Sequence, residues 1–461
     1  MKAIYLSLIL FALFTLAGQA QSPQQANIIL IIADDAGYAD FGFQGSNEFK
    51  TPHLDRLASQ GMRFSQAYVT AAVCGPSRAG LLTGRYQQRF GFEENNVPGY
   101  MDHYGLDDDE MGLPPEEKTI AEYLKQLGYQ TALFGKWHQG NADRFHPLKQ
   151  GFDEFLGFRG GARSYFPFNQ AHPTNQHERL LESGFRNFGE VEGYLAYTLA
   201  NAAADFVERH QDTSFFVMLS FNSVHTPMEV EKKELGQFPE LEGKRKKLAA
   251  MTVAMDKACG TLLQKIEALG LEQKTLIVFT NDNGGPSDTN GSNNFPLSGT
   301  KANHLEGGIR VPFLMKWEGV IPAASLYEFP VSTLDLLPSF WYAAGGDPSQ
   351  LKDLDGINLF PYLQGKQSDR PHERLFWKKE SRAAVRDGDW KLLRFPDRPA
   401  ELYYLPNDIS ESNNLADEYP AKVKTLYKLL FEWELTLARP RWQLKRQYEG
   451  KAMKRMDQYR Q

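Results

Sequence analysis

Cysteine is scarce in this chain of 461 residues: Cys74 and Cys259 are the whole supply. At most one disulfide is possible, so a disulfide framework cannot hold the fold. An excess of charge is also missing. The formal balance of −6 at pH 7 gives no reason to expect nucleic acid as a partner. No apolar run reaches the roughly 20 residues needed to span a bilayer, and the chain has no internal repeat and no low-complexity segment.

What is there begins with an address. Lys2 precedes the apolar run Ala3 to Leu16, and the small-residue ending Gly18-Gln19-Ala20 follows. This order reads as a secretory signal peptide, residues 1–20, cleaved near Ala20. The expected destination is the periplasm or the exterior. No cysteine stands near the cleavage site, so a lipid anchor has no acceptor, and no membrane anchor is expected after cleavage. About 440 residues then remain, enough for two or three domains or for one large domain with an appendage. Hydrophobic residues make up 42% and charged residues 23%, which is ordinary for a globular chain.

Four apolar, β-branched runs stop at polar residues. Asn27–Ala33 ends in Asp34-Asp35, Gln130–Phe134 in Gly135-Lys136-Trp137-His138, Ser214–Phe221 in Asn222-Ser223-Val224-His225, and Lys274–Thr280 in Asn281-Asp282-Asn283. Between them lie helical patterns with their own punctuation. Thr51-Pro52 opens a helix that ends at Gly61, with Thr51 as N-cap. Thr119-Ile120-Ala121-Glu122 is a capping box, and Gly128 closes that helix. Continuous apolar strands alternating with helices predict an α/β fold around a large, mostly parallel sheet covered on both faces. This α/β unit is expected over residues 26–340.

Residues 341–461 differ in character and predict a smaller C-terminal α+β subdomain. Ser381–Arg394 reads as an antiparallel hairpin and Lys422–Leu437 as an amphipathic helix. The last stretch, Arg439–Gln461, holds eight basic residues against Glu449 and Asp457. It suits an anionic polymer, but a solvated, partly disordered tail is the expectation. The acidic run Asp107-Asp108-Asp109-Glu110 is expected to be solvated for the same reason.

In an open parallel sheet, ligands bind at the carboxyl ends of the strands. The strand-end residues should therefore meet in one crevice holding Asp34, Asp35, Asp282, Asn283, Lys136, His138 and His225. Ser298-Gly299-Thr300-Lys301 adds a second lysine, with His304 close behind. Oxygen-only ligands suit Ca²⁺, or Mg²⁺, better than Zn²⁺. Val73-Cys74-Gly75-Pro76-Ser77-Arg78 is more specific still. Pro76 can start a helix, which puts Cys74 at its positive N-terminus and Arg78 one turn along, an anion-binding arrangement. Cys259, in the helical stretch Ala249–Leu269, reads as packing.

At Cys-x-Pro-Ser-Arg followed by Leu82-Thr83-Gly84-Arg85, the sequence resembles the formylglycine-dependent sulfatases of the alkaline phosphatase superfamily. The likeness extends to Asp34-Asp35, Gly135–His138, His225-Thr226-Pro227, Asp282-Asn283-Gly284, Gly299-Thr300-Lys301 and Glu306–Pro312. The resemblance implies an alkaline-phosphatase-like fold and sulfate ester hydrolysis. It implies that Cys74 is oxidised to formylglycine by a separate maturation enzyme, and that a divalent metal is held by Asp34, Asp35, Asp282, Asn283 and the modified Cys74. Arg78, Lys136 and Lys301 would neutralise the sulfate. His225 would protonate the leaving alcohol, and His138 would help regenerate the aldehyde. A phosphatase or phosphodiesterase of the same superfamily would place serine or threonine at position 74. A non-catalytic sulfated-glycan-binding protein would keep the crevice without turnover. The loop Arg159–Phe166, with Arg163, and then His172, His177 and His304, are candidate contacts to a sulfated carbohydrate, such as a glycosaminoglycan or algal polysaccharide. The sequence carries no reading of oligomeric state.

Overall fold

A computed structural model describes residues 25–102, 110–167, 181–189 and 193–461. The signal-peptide reading of residues 1–20 and the acidic run at 107–109 lie outside the described residues. Ten strands form the main sheet. In chain order they are β1 (Asn27–Ala33), β2 (Met62–Phe64), β3 (Gln130–Lys136), β4 (Glu154–Phe158), β5 (Leu181–Ser183), β6 (Arg186–Gly189), β7 (Phe215–Ser220), β8 (Thr275–Asn281), β9 (Phe313–Lys316) and β10 (Ser325–Tyr327). Their spatial order is β10-β2-β9-β8-β1-β7-β3-β4-β5-β6. The central five, β8-β1-β7-β3-β4, run parallel, and antiparallel pairs begin beyond them on both sides.

The four apolar runs read from the sequence are thus neighbours at the centre of the sheet. Side chains alternate across it, as the twofold period of a strand requires. Ile29 and Ile31 of β1 face one helical layer, made of α1 (Pro52–Gln60), α4 (Leu195–Arg209) and α5 (Gly243–Ala268). Ile28, Leu30 and Ile32 face the other, made of α2 (Cys74–Thr83), α3 (Ile120–Gln126) and α6 (Leu336–Ala343). Register does the rest: Ala33 pairs with Asn281, Ile32 with Ser220 and Gly135 with Ser220. The carboxyl ends of β1, β3, β7 and β8 are therefore level, and the polar residues that follow them emerge at one edge.

The predicted punctuation holds at α3, where the Thr119–Glu122 capping box is formed. At α1 it fails. Thr51 stands at the N-cap position but makes no capping hydrogen bond; its hydroxyl instead accepts from Gly42 N–H at 2.9 Å and donates to Asp55 at 2.9 Å. The cap comes from another helix. Asp256 of α5 accepts the N–H groups of His53 (3.2 Å) and Leu54 (2.8 Å), meeting the unpaired donors of the first turn.

A second sheet is antiparallel, with strands β11 (Arg374–Lys379), β12 (Arg382–Asp387), β13 (Trp390–Arg394) and β14 (Glu401–Tyr404). The predicted hairpin is β12–β13. One face packs on α7 (Pro420–Glu434) through Leu426, Leu430 and Trp433, and the other on Tyr68, Leu305 and Ile309. The basic tail is ordered, contrary to expectation. Gln443–Leu444 pairs with Met101–Asp102, and α8 (Arg446–Gln458) buries Met453 and Met456. Its cations find carboxylates distant in sequence: Arg455 meets Asp288 at 2.6 Å and Arg460 meets Glu401 at 2.8 Å. A few apolar residues among the charges were enough to seat the segment. Among the described residues no helix is long and apolar enough to cross a membrane.

Candidate active site

The helix α2 starts at Cys74 itself, so the thiol sits at a helix N-terminus as its sequence context implied. Two side chains from outside the motif fix that turn. Asn95 accepts the Gly75 N–H at 2.8 Å, and Gln139 donates to the Gly75 carbonyl at 2.9 Å. Cys74 is 1% exposed. Its Sγ lies 3.1 Å from Lys301 Nζ, 3.6 Å from Asp34 Oδ1 and 4.0 Å from Asp35 Oδ1. Burial, reinforced by Asp282, pushes the thiol far above its ordinary range despite the nearby lysines. As a thiol, Cys74 is therefore protonated and a poor nucleophile at neutral pH.

Each of the three crevice carboxylates has its own cation. Lys136 Nζ lies 2.6 Å from Asp34, Lys301 Nζ 2.6 Å from Asp35, and Arg78 Nε 2.8 Å from Asp282. Burial pushes Asp34 and Asp35 up, but these cations and His225 outweigh it and hold both below the usual carboxylate range. Asp282 goes the other way. Burial and the nearby Asp34 raise it to about 6, even with Arg78 in contact. Arg78 is fully buried and also donates through Nη1 to Ser220 Oγ at 2.6 Å and to the Lys136 carbonyl at 3.3 Å. Its Nη2 has no protein partner, which leaves one guanidinium donor free for a ligand oxygen.

Asp34, Asp35, Cys74 and His225 carry potential metal-ligating atoms that all lie within 4.8 Å of one another. Asp282 and Asn283 adjoin this group: the Asp35 N–H approaches Asp282 Oδ1 at 3.4 Å, and Asn283 Nδ2 donates to Asp35 Oδ1 at 2.7 Å. Asn283 Oδ1 is buried and without a hydrogen-bond donor. A buried orphan acceptor beside three carboxylates fits a hard divalent cation. His225 belongs to this cluster by distance alone. Its Nε2 is 3.5 Å from Asp35 Oδ2, while Nδ1 faces the Thr226 carbonyl at 2.7 Å. Burial lowers its pKa against the pull of Asp35 and Asp34.

His138 is 4% exposed and neither ring nitrogen has a partner. Burial, then Lys136 and Arg78, keep it neutral. Its ring lies on Gly161, where a Cβ would come within 2.7 Å of the imidazole, so that position has no room for a side chain. Asp35, His138 and Ala302, the residue after Lys301, have positive φ values of 63°, 56° and 74°. Such backbone persists where surrounding structure over-determines it, often at functional sites.

All six candidate catalytic residues and all of the candidate metal ligands therefore meet in one place. Of the four substrate candidates, Arg163 and His304 are among the described residues. Arg163 is buried at 3% exposure, on a segment tied to the His225 loop through Tyr165, whose hydroxyl donates to the His225 carbonyl at 2.8 Å. His172 and His177 lie outside the described residues. His304 is buried, and burial followed by Arg382, Lys391, Lys379 and Arg394 holds it far below its ordinary pKa. It sits against cations of the second sheet. Sequence reasoning missed Ser220, Asn95 and Gln139, which carry no motif and reach the site only through the fold.

Comparison with known proteins bears on this constellation. A family model described as Sulfatase matches residues 26–346. N-acetylgalactosamine-6-sulfatase of Canis lupus familiaris is 33% identical over 389 residues, spanning 81% of this chain and 72% of the relative. Steryl-sulfatase of Rattus norvegicus is 34% identical over 454 residues, spanning 80% and 77%. The crystal structure of Ps i-CgsB in complex with k-i-k-neocarrahexaose superposes with a TM-score of 0.84 at 34% identity, covering 94% of this chain and 99% of that one.

Proposed function

The chain belongs to the sulfatase family, whose members are sulfuric ester hydrolases of alkaline-phosphatase-like fold, and on that premise we propose that it removes sulfate from a sulfated carbohydrate outside the cytoplasm. The observation that carries the reading is Cys74 at the N-terminus of α2, facing Asp34 and Asp35 at the end of β1 and within 3.1 Å of Lys301. Two similar proteins favour the carbohydrate: one is named for N-acetylgalactosamine 6-sulfate chemistry, and the other is a crystal structure holding a neocarrahexaose. The signal-like leader favours a secreted or periplasmic location.

In this reading residues 26–340 are the catalytic unit and 341–461 the subdomain. Asp34, Asp35, Asp282 and Asn283 would hold Ca²⁺, with Mg²⁺ the alternative, and Cys74 would be matured to formylglycine by a separate enzyme. When present, the cation supplies Lewis acidity and the aldehyde hydrate supplies the oxygen nucleophile that a protonated thiol cannot.

The chain's own residues then divide the work. Arg78 Nη2, Lys136 and Lys301 bind the sulfate oxygens, where charge is present throughout the transfer. Because Nδ1 of His225 keeps its proton toward the Thr226 carbonyl, Nε2 carries a proton only in the imidazolium form, which Asp35 and Asp34 favour, and from that form it hands the proton to the departing alcohol oxygen. His138, neutral and unpartnered, is free to accept one. Burial of the cations strengthens each contact by excluding water.

Two measurements test the reading together. The peptide containing Cys74 should be about 18 Da lighter than its thiol form, the difference between thiol and aldehyde. Sulfate release should follow from at least one member of a panel of defined sulfated oligosaccharides. Full conversion of Cys74 with no release from any sulfated sugar would refute the substrate class.

A further inference from the structure

Resting on the carbohydrate reading, we propose that a cavity framed by Trp390, Tyr404 and Tyr419 is a second carbohydrate-binding site, one that holds unsulfated rings of the polymer away from the reacting centre. The cavity measures about 510 Å³, and Asn407, Asp408 and Asn413 are among the residues that complete its lining. This is within the range of small-molecule sites. No residue of the Cys74 crevice contributes to it.

Its place follows from the second sheet. Trp390 opens β13 and Tyr404 closes β14, and the two are register partners. Twofold alternation puts both on the face that carries Leu392 and Leu402 and packs on α7. The next residue, Lys391, turns to the opposite face and reaches Glu306. The sheet therefore stands between this cavity and the loop that carries Lys301. Tyr419 takes the N-cap position of α7. Asp408 fixes the wall between: its carboxylate accepts the N–H groups of Ser412 at 3.0 Å and Asn413 at 2.9 Å, and the Leu415 N–H donates to the Leu402 carbonyl at 2.8 Å. The loop is thus pinned to β14, so little ordering remains to be done on binding.

Three aromatic rings meet here, and all keep part of their surface open to solvent. The Trp390 ring centroid lies 5.0 Å from that of Tyr404 and 5.1 Å from that of Tyr419, each pair inclined at 55°, and Tyr419 is 45% exposed. Inclined rings form the sides of a cup, whereas parallel ones would close on each other. The polar groups are open too. Among the described residues no hydrogen bond engages the Trp390 indole N–H, the Tyr404 and Tyr419 hydroxyls, or the side-chain amides of Asn407 and Asn413. Aromatic faces beside unengaged donors and acceptors match a pyranose ring, which presents an apolar C–H face and an edge of hydroxyls. Charge then selects among sugars. The lining holds no lysine or arginine, and its one charged group, Asp408, is engaged by the loop. A sulfate finds no cation there, whereas the crevice offers Arg78, Lys136 and Lys301. The two sites divide the polymer, the sulfated ring going to Cys74 and rings without sulfate, including those already desulfated, to Trp390.

The experiment uses the full chain carrying Cys74→Ala, so that nothing is turned over, titrated in a calorimeter with an unsulfated galactan hexaose and an unsulfated glucan hexaose. We expect at least one to bind, with an affinity that does not change with salt because no ion pair forms. Trp390→Ala should weaken it roughly tenfold or more, a usual cost of truncating an aromatic anchor. Tyr419→Ser and Asn413→Ala, at exposed positions, should weaken it as well and decide the matter if Trp390→Ala does not fold. In the matured enzyme the same variants should keep the parent kcat/KM on a monosulfated disaccharide and lose it on a sulfated polysaccharide. No binding of either hexaose, or variants that bind as the parent does, overturns the site and leaves the reading of the crevice intact. Binding lost in Lys136→Ala but kept in Trp390→Ala puts the sugar in the crevice and overturns it equally. Absence of sulfate release from every sulfated sugar overturns the carbohydrate reading of the crevice, and the hexaose titration, which needs no turnover, still decides this site.

Discussion

Lys391→Met is the perturbation that tests how the second sheet supports the site. Lys391, Glu306 and Glu411 are all fully buried, and Lys391 Nζ lies 2.7 Å from Glu306 and 2.8 Å from Glu411. Glu306 also accepts from Tyr68 at 2.6 Å and faces Arg310 at 3.3 Å. It lies five residues beyond Lys301 on the same loop. Burial pushes Glu306 up, but Lys391 and the arginines outweigh it and bring it down to about 2. Glu411 is raised to about 7, chiefly by burial, with Glu306 adding to the rise. Removing one partner of a buried pair costs about 3 to 5 kcal/mol. Arg310 and Tyr68 still hold Glu306, and Glu411 is already half protonated near pH 7, so we expect the lower end, about 3 kcal/mol, at that pH. The sign of the pH dependence follows from Glu411. A carboxyl raised in the fold keeps a proton that the unfolded chain has released, so stability falls as pH rises from the ordinary 4.5 through the folded value. Without Lys391 that value climbs further. The deficit of the variant should therefore grow between pH 7 and 9, where the contribution from Glu411 in the parent has levelled off. Denaturant midpoints at pH 6, 7.5 and 9 measure it, and Glu411→Gln in the variant background should restore part of the loss. A deficit under 1 kcal/mol, or one that does not change between pH 7 and 9, would refute the reasoning.

Cys74→Ala should abolish turnover while leaving the circular dichroism spectrum unchanged; activity within tenfold of the parent would rule out the nucleophile. Chelation should lower both activity and Tm, and Ca²⁺ should restore them, although the cation paired with each carboxylate makes the Tm change modest; zinc as the sole metal in active protein would contradict the oxygen-ligand argument. His225→Ala should lose roughly 10² to 10⁴ in rate on a sulfated sugar, the usual worth of general-acid help, and far less on an activated aryl sulfate, whose leaving group departs without a proton. His138→Ala should affect both substrates alike, and equal losses for His225→Ala would reassign that residue to positioning sulfate.

The central strands and the crevice residues were legible because their signals are local. A buried parallel strand reads as a continuous apolar run, and the polar residues just past its end are at the crevice by topology. This holds for Asp34, Asp35, Lys136, His225 and Asp282, and for Cys74 in its helix-starting motif. Thr51 shows the limit of such local signals: the residue type and spacing of an N-cap were present, but Asp256 from 200 residues away does the capping. The charged tail was misread for a related reason. Composition counts charges, whereas the folding of Arg439–Gln461 depends on whether Trp442, Met453 and Met456 find apolar surface and the arginines find carboxylates. The same holds for the pairing of Lys136, Lys301 and Arg78 with one carboxylate each. The amino-acid sequence by itself determined which residue types would meet at the ends of the strands, since twofold alternation and helix punctuation are properties of neighbouring residues. Only the tertiary structure decided which donor faces which acceptor, because a hydrogen bond or ion pair depends on distances of a few ångströms between segments whose separation along the chain carries no record of them.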